Sequence, residues 1–222
     1  MLPLMLTTLL LLAAALFPPV GGPNFDFYFF VQMWPGSLCN TSGGCCYPRS
    51  GKPESNFQIH GLWPSRTDSS YPSKCGGNFV FGEIKDLTEE LNLHWNKLSC
   101  PSSNNSPFWN REWSKHGTCS GLTEHAYFKT ALNLYTAYNL TAALASADIL
   151  PNGQLYTSKL ILKVLTTALG QTPLIECNRS AKLGYSQFYQ IYMCVDKDGK
   201  SLIPCPVTIP NQCRAIVYFP PF

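Results

Sequence analysis

The sequence predicts an α+β protein, and three observations predict it. Strand-like runs rich in aromatic and β-branched residues lie near the two ends of the chain, Phe25 to Gln32 and Ala215 to Phe219. Segments of helical periodicity gather between them instead of alternating with strands. Ten cysteines, with no Cys-x-x-Cys spacing among them, read as five disulfides and not as zinc or redox sites.

The elements follow in order. An uncharged apolar run, Leu2 to Phe17, is too short to span a bilayer comfortably and passes through Ala13-Ala14-Ala15 into Pro18-Pro19. Residues 1–22 are therefore expected to be a signal peptide, cleaved between Ala15 and Pro23, although the amino terminus is its one positive charge. No repeat or low-complexity linker divides residues 23–222, which are expected to form a single domain. After the first strand, Phe57 to Ile59 makes a second, short one. Ile84, Leu87 and Leu91 recur at helical spacing and predict an amphipathic helix over Glu83 to Trp95. Ser106-Pro107 opens another that closes at Gly117, with proline at the start and glycine at the end. Glu124 to Tyr138 and Thr157 to Leu169 read as helices, the latter stopped by Gly170. Gln187 to Val195 and Ser201 to Pro204 flank Asp196-Lys197-Asp198-Gly199, a hairpin signal.

Composition bounds the class further. Hydrophobic residues make up 45%, which excludes wholesale disorder. The net charge of +3 permits a polyanionic partner without arguing for one. Asn-x-Ser/Thr triplets at Asn40, Asn104, Asn139 and Asn178 are glycosylation candidates that fit passage through the secretory pathway.

The four histidines are where acid–base chemistry would sit, because imidazole titrates near neutral pH. His60 ends a strand beside Gly61, which suits an acid or base and equally a half-buried histidine packed on Trp63. Glu112, Lys115 and His116 stand at i, i+3 and i+4, so a helix puts them on one face. Such a trio could serve a phosphoryl group, with lysine neutralising developing charge and glutamate tuning a neighbour; it is also what a solvated helix face looks like. Cys119 just beyond favours the first reading, since a disulfide there would pin the helix end. His94 and His125 read as structural or surface residues. No Gly-x-Ser-x-Gly elbow, His-Glu-x-x-His or phosphate loop is present.

Two blocks carry a resemblance. Phe57-Gln58-Ile59-His60-Gly61-Leu62-Trp63-Pro64 resembles the first active-site block of the ribonuclease T2 family, and Phe108 to Cys119, centred on Glu112-Trp113-Ser114-Lys115-His116-Gly117, resembles its second. The likeness runs on through Phe30 to Pro35, Cys45-Cys46-Tyr47-Pro48, Ala126 to Lys129 and the C-terminal cysteines, and is strongest to the plant S-like ribonucleases. The resemblance implies an antiparallel sheet with several helices packed against it. It also implies an endoribonuclease that cleaves single-stranded RNA by attack of the 2′-hydroxyl on phosphorus, giving a 2′,3′-cyclic phosphate that is slowly hydrolysed to a 3′-phosphate. In that scheme His116 is the base, His60 the acid, and Lys115 and Glu112 stabilise the transition state. Two histidines of ordinary pKa near ~6.5 would share the protons between them.

Neither metal nor cofactor is implied, because the nucleophile belongs to the substrate; RNA is the partner, and a monomer without an obligatory protein partner is expected. The resemblance places base contacts at Trp63, Tyr71 and Gln32, and implies the pairs Cys39–Cys45, Cys46–Cys100, Cys75–Cys119, Cys177–Cys213 and Cys194–Cys205. Three residues depart from common family residues: Arg111 stands where a histidine usually holds the phosphate, Met33 where many plant members carry glutamine, and Ser65 at a position acidic in some relatives. Arg111 is expected to keep the phosphate contact, since guanidinium binds phosphate bidentately. The expected setting is secretion through the endoplasmic reticulum to the cell exterior or vacuole, with roles in RNA and phosphate scavenging or defence. A self-incompatibility-type recognition ribonuclease and a catalytically weak binding or storage protein are the alternatives on the same fold.

Overall fold

Aromatic side chains fill both faces of the first strand, β1 (Phe27–Met33), and so place it inside a sheet and not at its edge. The computed structural model describes residues 24–222 apart from Ser102, so the expected signal peptide, residues 1–22, lies outside the described residues. β1 pairs antiparallel with β2 (Gln58–Ser65) on one side and with β5 (Ser186–Val195) on the other. β4 (Leu174–Arg179) also pairs antiparallel with β5, and β3 (Gln154–Thr157) with β6 (Ile216–Phe219). The sheet runs β2-β1-β5-β6-β3 with β4 attached to β5, and its one parallel contact is Gln187 with Tyr218.

Helices cover this sheet. They are α1 (Pro35–Cys39), α2 (Thr88–His94), α3 (Ser106–Lys115), α4 (Glu124–Ala137), α5 (Leu140–Ala145) and α6 (Ser158–Leu169). Thr123 and Thr157 cap α4 and α6 by accepting from the amides of Ala126 and Leu160, and Gly170 ends α6 in the left-handed region at φ 71°. Trp34, Phe57 and Ile59 meet Trp95, Trp109, Tyr127 and Phe128 in one core, all almost fully buried. Each such aromatic is worth roughly 1.5–3 kcal/mol of burial.

Several elements differ from expectation. The helix predicted over Glu83 to Trp95 is a 3₁₀ segment, Phe81–Leu87, followed by α2, because Ile84 leaves helical geometry at φ −119°, ψ 15°. Ile84, Leu87 and Leu91 still reach the core. The second hairpin strand, Ser201 to Pro204, is reduced to a single bridge between Val195 and Leu202; Pro204 and Pro206 have no amide hydrogens to extend it. Helices α1 and α5 and strands β3 and β4 are too short or too mixed to stand out in the sequence.

Disulfides join Cys39–Cys45, Cys46–Cys100, Cys75–Cys119, Cys177–Cys213 and Cys194–Cys205. Cys75–Cys119 spans 44 residues, a loop whose closure is worth ~3–4 kcal/mol in the chain-entropy picture. It fixes the segment after β2 to the end of α3, and the Lys74 and Cys75 amides reinforce it by donating to the Lys115 carbonyl and Thr118 Oγ1.

Candidate active site

β2 and the C-terminal turn of α3 together present His60, Trp63, Glu112, Lys115 and His116 to one cavity of about 470 Å³, a size suited to a small ligand. Phe29, Ser65, Tyr71, Tyr192 and the Val207 to Pro210 segment complete its walls.

The strand delivers His60 through a β-bulge. Opposite β1, Gly61 pairs with Val31 and Ile59 with Gln32, which leaves His60 as the extra residue without a partner. The freed His60 carbonyl accepts from Trp95 Nε1 at 3.1 Å. Residues three apart in a regular strand point to opposite faces. The extra residue reverses that parity, and the rings of His60 and Trp63 meet edge to face with centroids 4.9 Å apart.

The helix delivers the rest. Glu112 is buried one turn before His116, whose amide donates to the Glu112 carbonyl at 2.9 Å. Trp63 Nε1 donates to Glu112 Oε2 at 2.9 Å, bridging strand and helix. His116 stacks on Trp63 with centroids 5.2 Å apart, and the tilted Tyr71 ring lies 6.2 Å away. Lys115 is exposed, its ammonium 5.6 Å from the Tyr71 ring. Gly117 follows immediately, where any side chain would strike the Trp113 ring.

Burial dominates the electrostatics. It pulls the His116 imidazole down to about 3, helped by the positive charges of Lys115 and His60. His60 is also held below its usual 6.5 by burial; its hydrogen bond to Gln190 opposes this, and Lys115 adds to it. Burial pushes Glu112 up to about 7 against the Trp63 hydrogen bond and the nearby Lys115 and Arg111 charges. The site therefore departs from the expectation of two ordinary histidines. Both favour the neutral form, and the glutamate favours the acid. His116 Nδ1 is buried without a hydrogen-bond partner.

Other residues fall elsewhere. Arg111 is exposed, 5.9 Å from the Phe108 ring, and lines a second cavity of about 210 Å³ with Met33, Lys97 and Tyr189. His60 lies in the wall between the two cavities, since it lines both. Gln32, expected to contact a base, is buried and donates to the Tyr138 carbonyl in a separate cavity with His94 and Asn139. Strand alternation turns Gln32 from the site and puts Met33 on its side, so Gln32 is no part of this constellation. A larger cavity of about 760 Å³, lined by Glu176, Asn178, Arg179, Gln212 and Arg214, contains neither histidine. His94 stacks on Tyr135 and His125 pairs with Asp86 at the surface. Among the described residues, no cluster of three or more His, Cys, Asp or Glu side chains could hold a metal ion. Sequence reasoning missed Gln190 and Tyr192 of β5, which carry no motif and reach the site only through the pairing of β5 with β1.

Known proteins resemble this chain in sequence and in fold. The chain is 47% identical over 204 residues to Extracellular ribonuclease LE of Solanum lycopersicum, covering 90% of this chain and 88% of that protein. It is 44% identical over 208 residues to Intracellular ribonuclease LX of the same species, covering 91% and 87%. Its structure matches the crystal structure of RNase NT in complex with 5′-AMP with a TM-score of 0.87 and 44% identity, over 90% of this chain and all of the other. Residues 25–205 match the ribonuclease T2 family as a whole, and the chain belongs to that family.

Proposed function

We propose that the protein is an endoribonuclease that cleaves single-stranded RNA by metal-independent transphosphorylation. The observation that carries this reading is the convergence of His60 and His116 on one cavity around Trp63, with Glu112 and Lys115 beside them. The neutral His116 takes the proton of the 2′-hydroxyl as that oxygen attacks phosphorus. The P–O5′ bond breaks, and His60 gives its proton to the leaving oxygen, so a 2′,3′-cyclic phosphate remains. A phosphate anion in the cavity favours the protonated form of His60 and offsets the burial that otherwise removes it. Glu112, protonated below about pH 7, donates a hydrogen bond to a non-bridging oxygen, and Lys115 supplies positive charge to the crowded phosphorane. Trp63 and Tyr71 offer faces on which a base stacks, worth ~1–3 kcal/mol. Hydrolysis of the cyclic ester then yields the 3′-phosphate.

In this reading residues 1–22 are a cleaved signal peptide and residues 23–222 one ribonuclease domain, secreted as a monomer to the exterior or vacuole for RNA scavenging or defence. Five disulfides support an oxidising compartment. The test is cleavage of single-stranded RNA by the disulfide-bonded chain with EDTA present. Cyclic-phosphate ends, abolished by His116→Ala, are expected; intact RNA after incubation with the folded chain would overturn the proposal.

A further inference from the structure

His60 does not stand alone: a chain of hydrogen bonds runs from it into the sheet, and the direction of each bond is fixed by chemistry. Glu176 Oε2 on β4 accepts from two donors, Gln190 Nε2 at 2.5 Å and the Tyr192 hydroxyl at 2.7 Å. The Tyr192 phenol is held protonated by burial and by Glu176, so it remains a donor. A carboxylate only accepts. The Gln190 amide must therefore turn its nitrogen toward Glu176, and its oxygen is left facing His60 Nδ1, to which it is hydrogen-bonded. An amide oxygen also only accepts, so Nδ1 must carry the hydrogen. Were the amide reversed, its oxygen would face the carboxylate and its NH₂ the imidazole. Gln190 is buried, which leaves little water to relieve such a mismatch.

We infer that Glu176 and Gln190 are positioning residues that lock His60 in its Nδ1–H tautomer, so that Nε2 is the nitrogen that exchanges protons with a ligand in the cavity. Glu176 acts at a distance of two hydrogen bonds and touches no reacting atom. The same logic governs histidines whose second nitrogen is oriented by a neighbour: the far bond decides which nitrogen works. Through this relay the acid proposed above always presents the same face, whether it carries one proton or two. The relay also explains why His60 is held on a bulge. The extra residue in β2 brings the imidazole within reach of β5, which is paired to the far side of β1.

The role in catalysis rests on the ribonuclease reading, whereas the tautomer does not, and the experiment separates them. In the ¹⁵N-labelled full chain, long-range ¹H–¹⁵N spectra of neutral His60 should show a single Nδ1–H form. Glu176→Gln, which keeps the shape but can donate as well as accept, should admit the Nε2–H form. Gln190→Met, which keeps the volume and removes the bond, should do so as well and serves if the first variant fails to fold. Both variants should lose about 10–100-fold in kcat on single-stranded RNA with KM little changed. An Nε2–H form in the wild-type chain, or an unchanged Nδ1–H form in both variants, would overturn the inference. A wild-type Nδ1–H form in a folded chain that leaves RNA intact would support the tautomer lock and overturn the reaction instead.

Discussion

Gly61 lies so close to Glu112 that a Cβ on Gly61 would overlap both ends of its hydrogen bond to the indole, Trp63 Nε1 most closely and then Glu112 Oε2. The hydrogen bond joining strand to helix thus exists because the residue after His60 has no side chain. Gly61→Ala is expected to force the pair apart, lowering RNA cleavage by about 100-fold or more and stability by about 1–3 kcal/mol. Turnover assays and urea unfolding of the same preparation would check both; wild-type turnover in the variant would refute the argument.

Glu112 makes stability depend on pH with an unusual sign. Its pKa rises from 4.5 to about 7 on folding, so the native chain holds a proton that the unfolded chain releases between those values. The contribution is fully present below pH 4.5 and is lost as pH rises to about 7, at about 1.4 kcal/mol per pH unit at most. Glu112→Gln removes that slope. The stability of the variant relative to wild type should rise across this window, and parallel curves from denaturant titrations would contradict the assignment.

His116 should resist protonation. With its pKa drawn from 6.5 to about 3, its ring resonances should stay flat in NMR titrations of the free protein down to about pH 4. This group has the opposite linkage, since the unfolded chain takes up its proton below pH 6.5 and the native chain does not. An inflection near 6 for His116 would show that water enters the cavity more freely than its packing against Trp63 allows.

Arg111 is the residue expected to separate binding from chemistry. It lines the smaller cavity on the other side of His60, away from His116. Arg111→Ala is expected to raise KM about ten-fold while kcat changes less, in keeping with a guanidinium that holds a phosphate. Identical kinetics on an RNA oligonucleotide would remove it from substrate binding.

The glycosylation candidates divide by geometry. Asn40 Nδ2 donates to Ser180 Oγ and Gln187 Oε1, and Asn178 Nδ2 to the Ser37 carbonyl. Asn104 and Asn139 are exposed, and Asn139 caps α5 through its oxygen, Oδ1 accepting from the Ala142 amide. Glycans are expected at Asn104 and Asn139, with Asn40 and Asn178 bare. Peptide mass spectrometry before and after deglycosylation reads this directly.

The helical half of the site was legible because i, i+3, i+4 spacing is a local property, and Glu112, Lys115 and His116 needed only α3 to meet. The strand half was less so. Phe57 to Ile59 is visible as a strand, but its extension to Ser65 and the bulge at His60 depend on register with β1, which no local pattern encodes. Gln190 and Glu176 were invisible for the same reason, since two strand pairings bring them to His60. The helix drawn over Glu83 to Trp95 shows the converse limit. The apolar spacing there was read correctly as core-facing, yet it does not distinguish a 3₁₀ segment from an α-helix.

The bridge between Cys75 and Cys119 has a consequence for a nuclease made inside a cell that depends on RNA. Tyr71 lies only four residues before Cys75, and His116 three before Cys119. The wall that carries the stacking aromatic is thus tethered to the helix end that carries the proposed base by a bond that thiols can undo. A chain stranded among reductants would keep its histidines and lose the frame that aims them. Reduction of this bond would release the Tyr71 wall from the His116 helix end and remove the loop closure that the disulfide gives the fold.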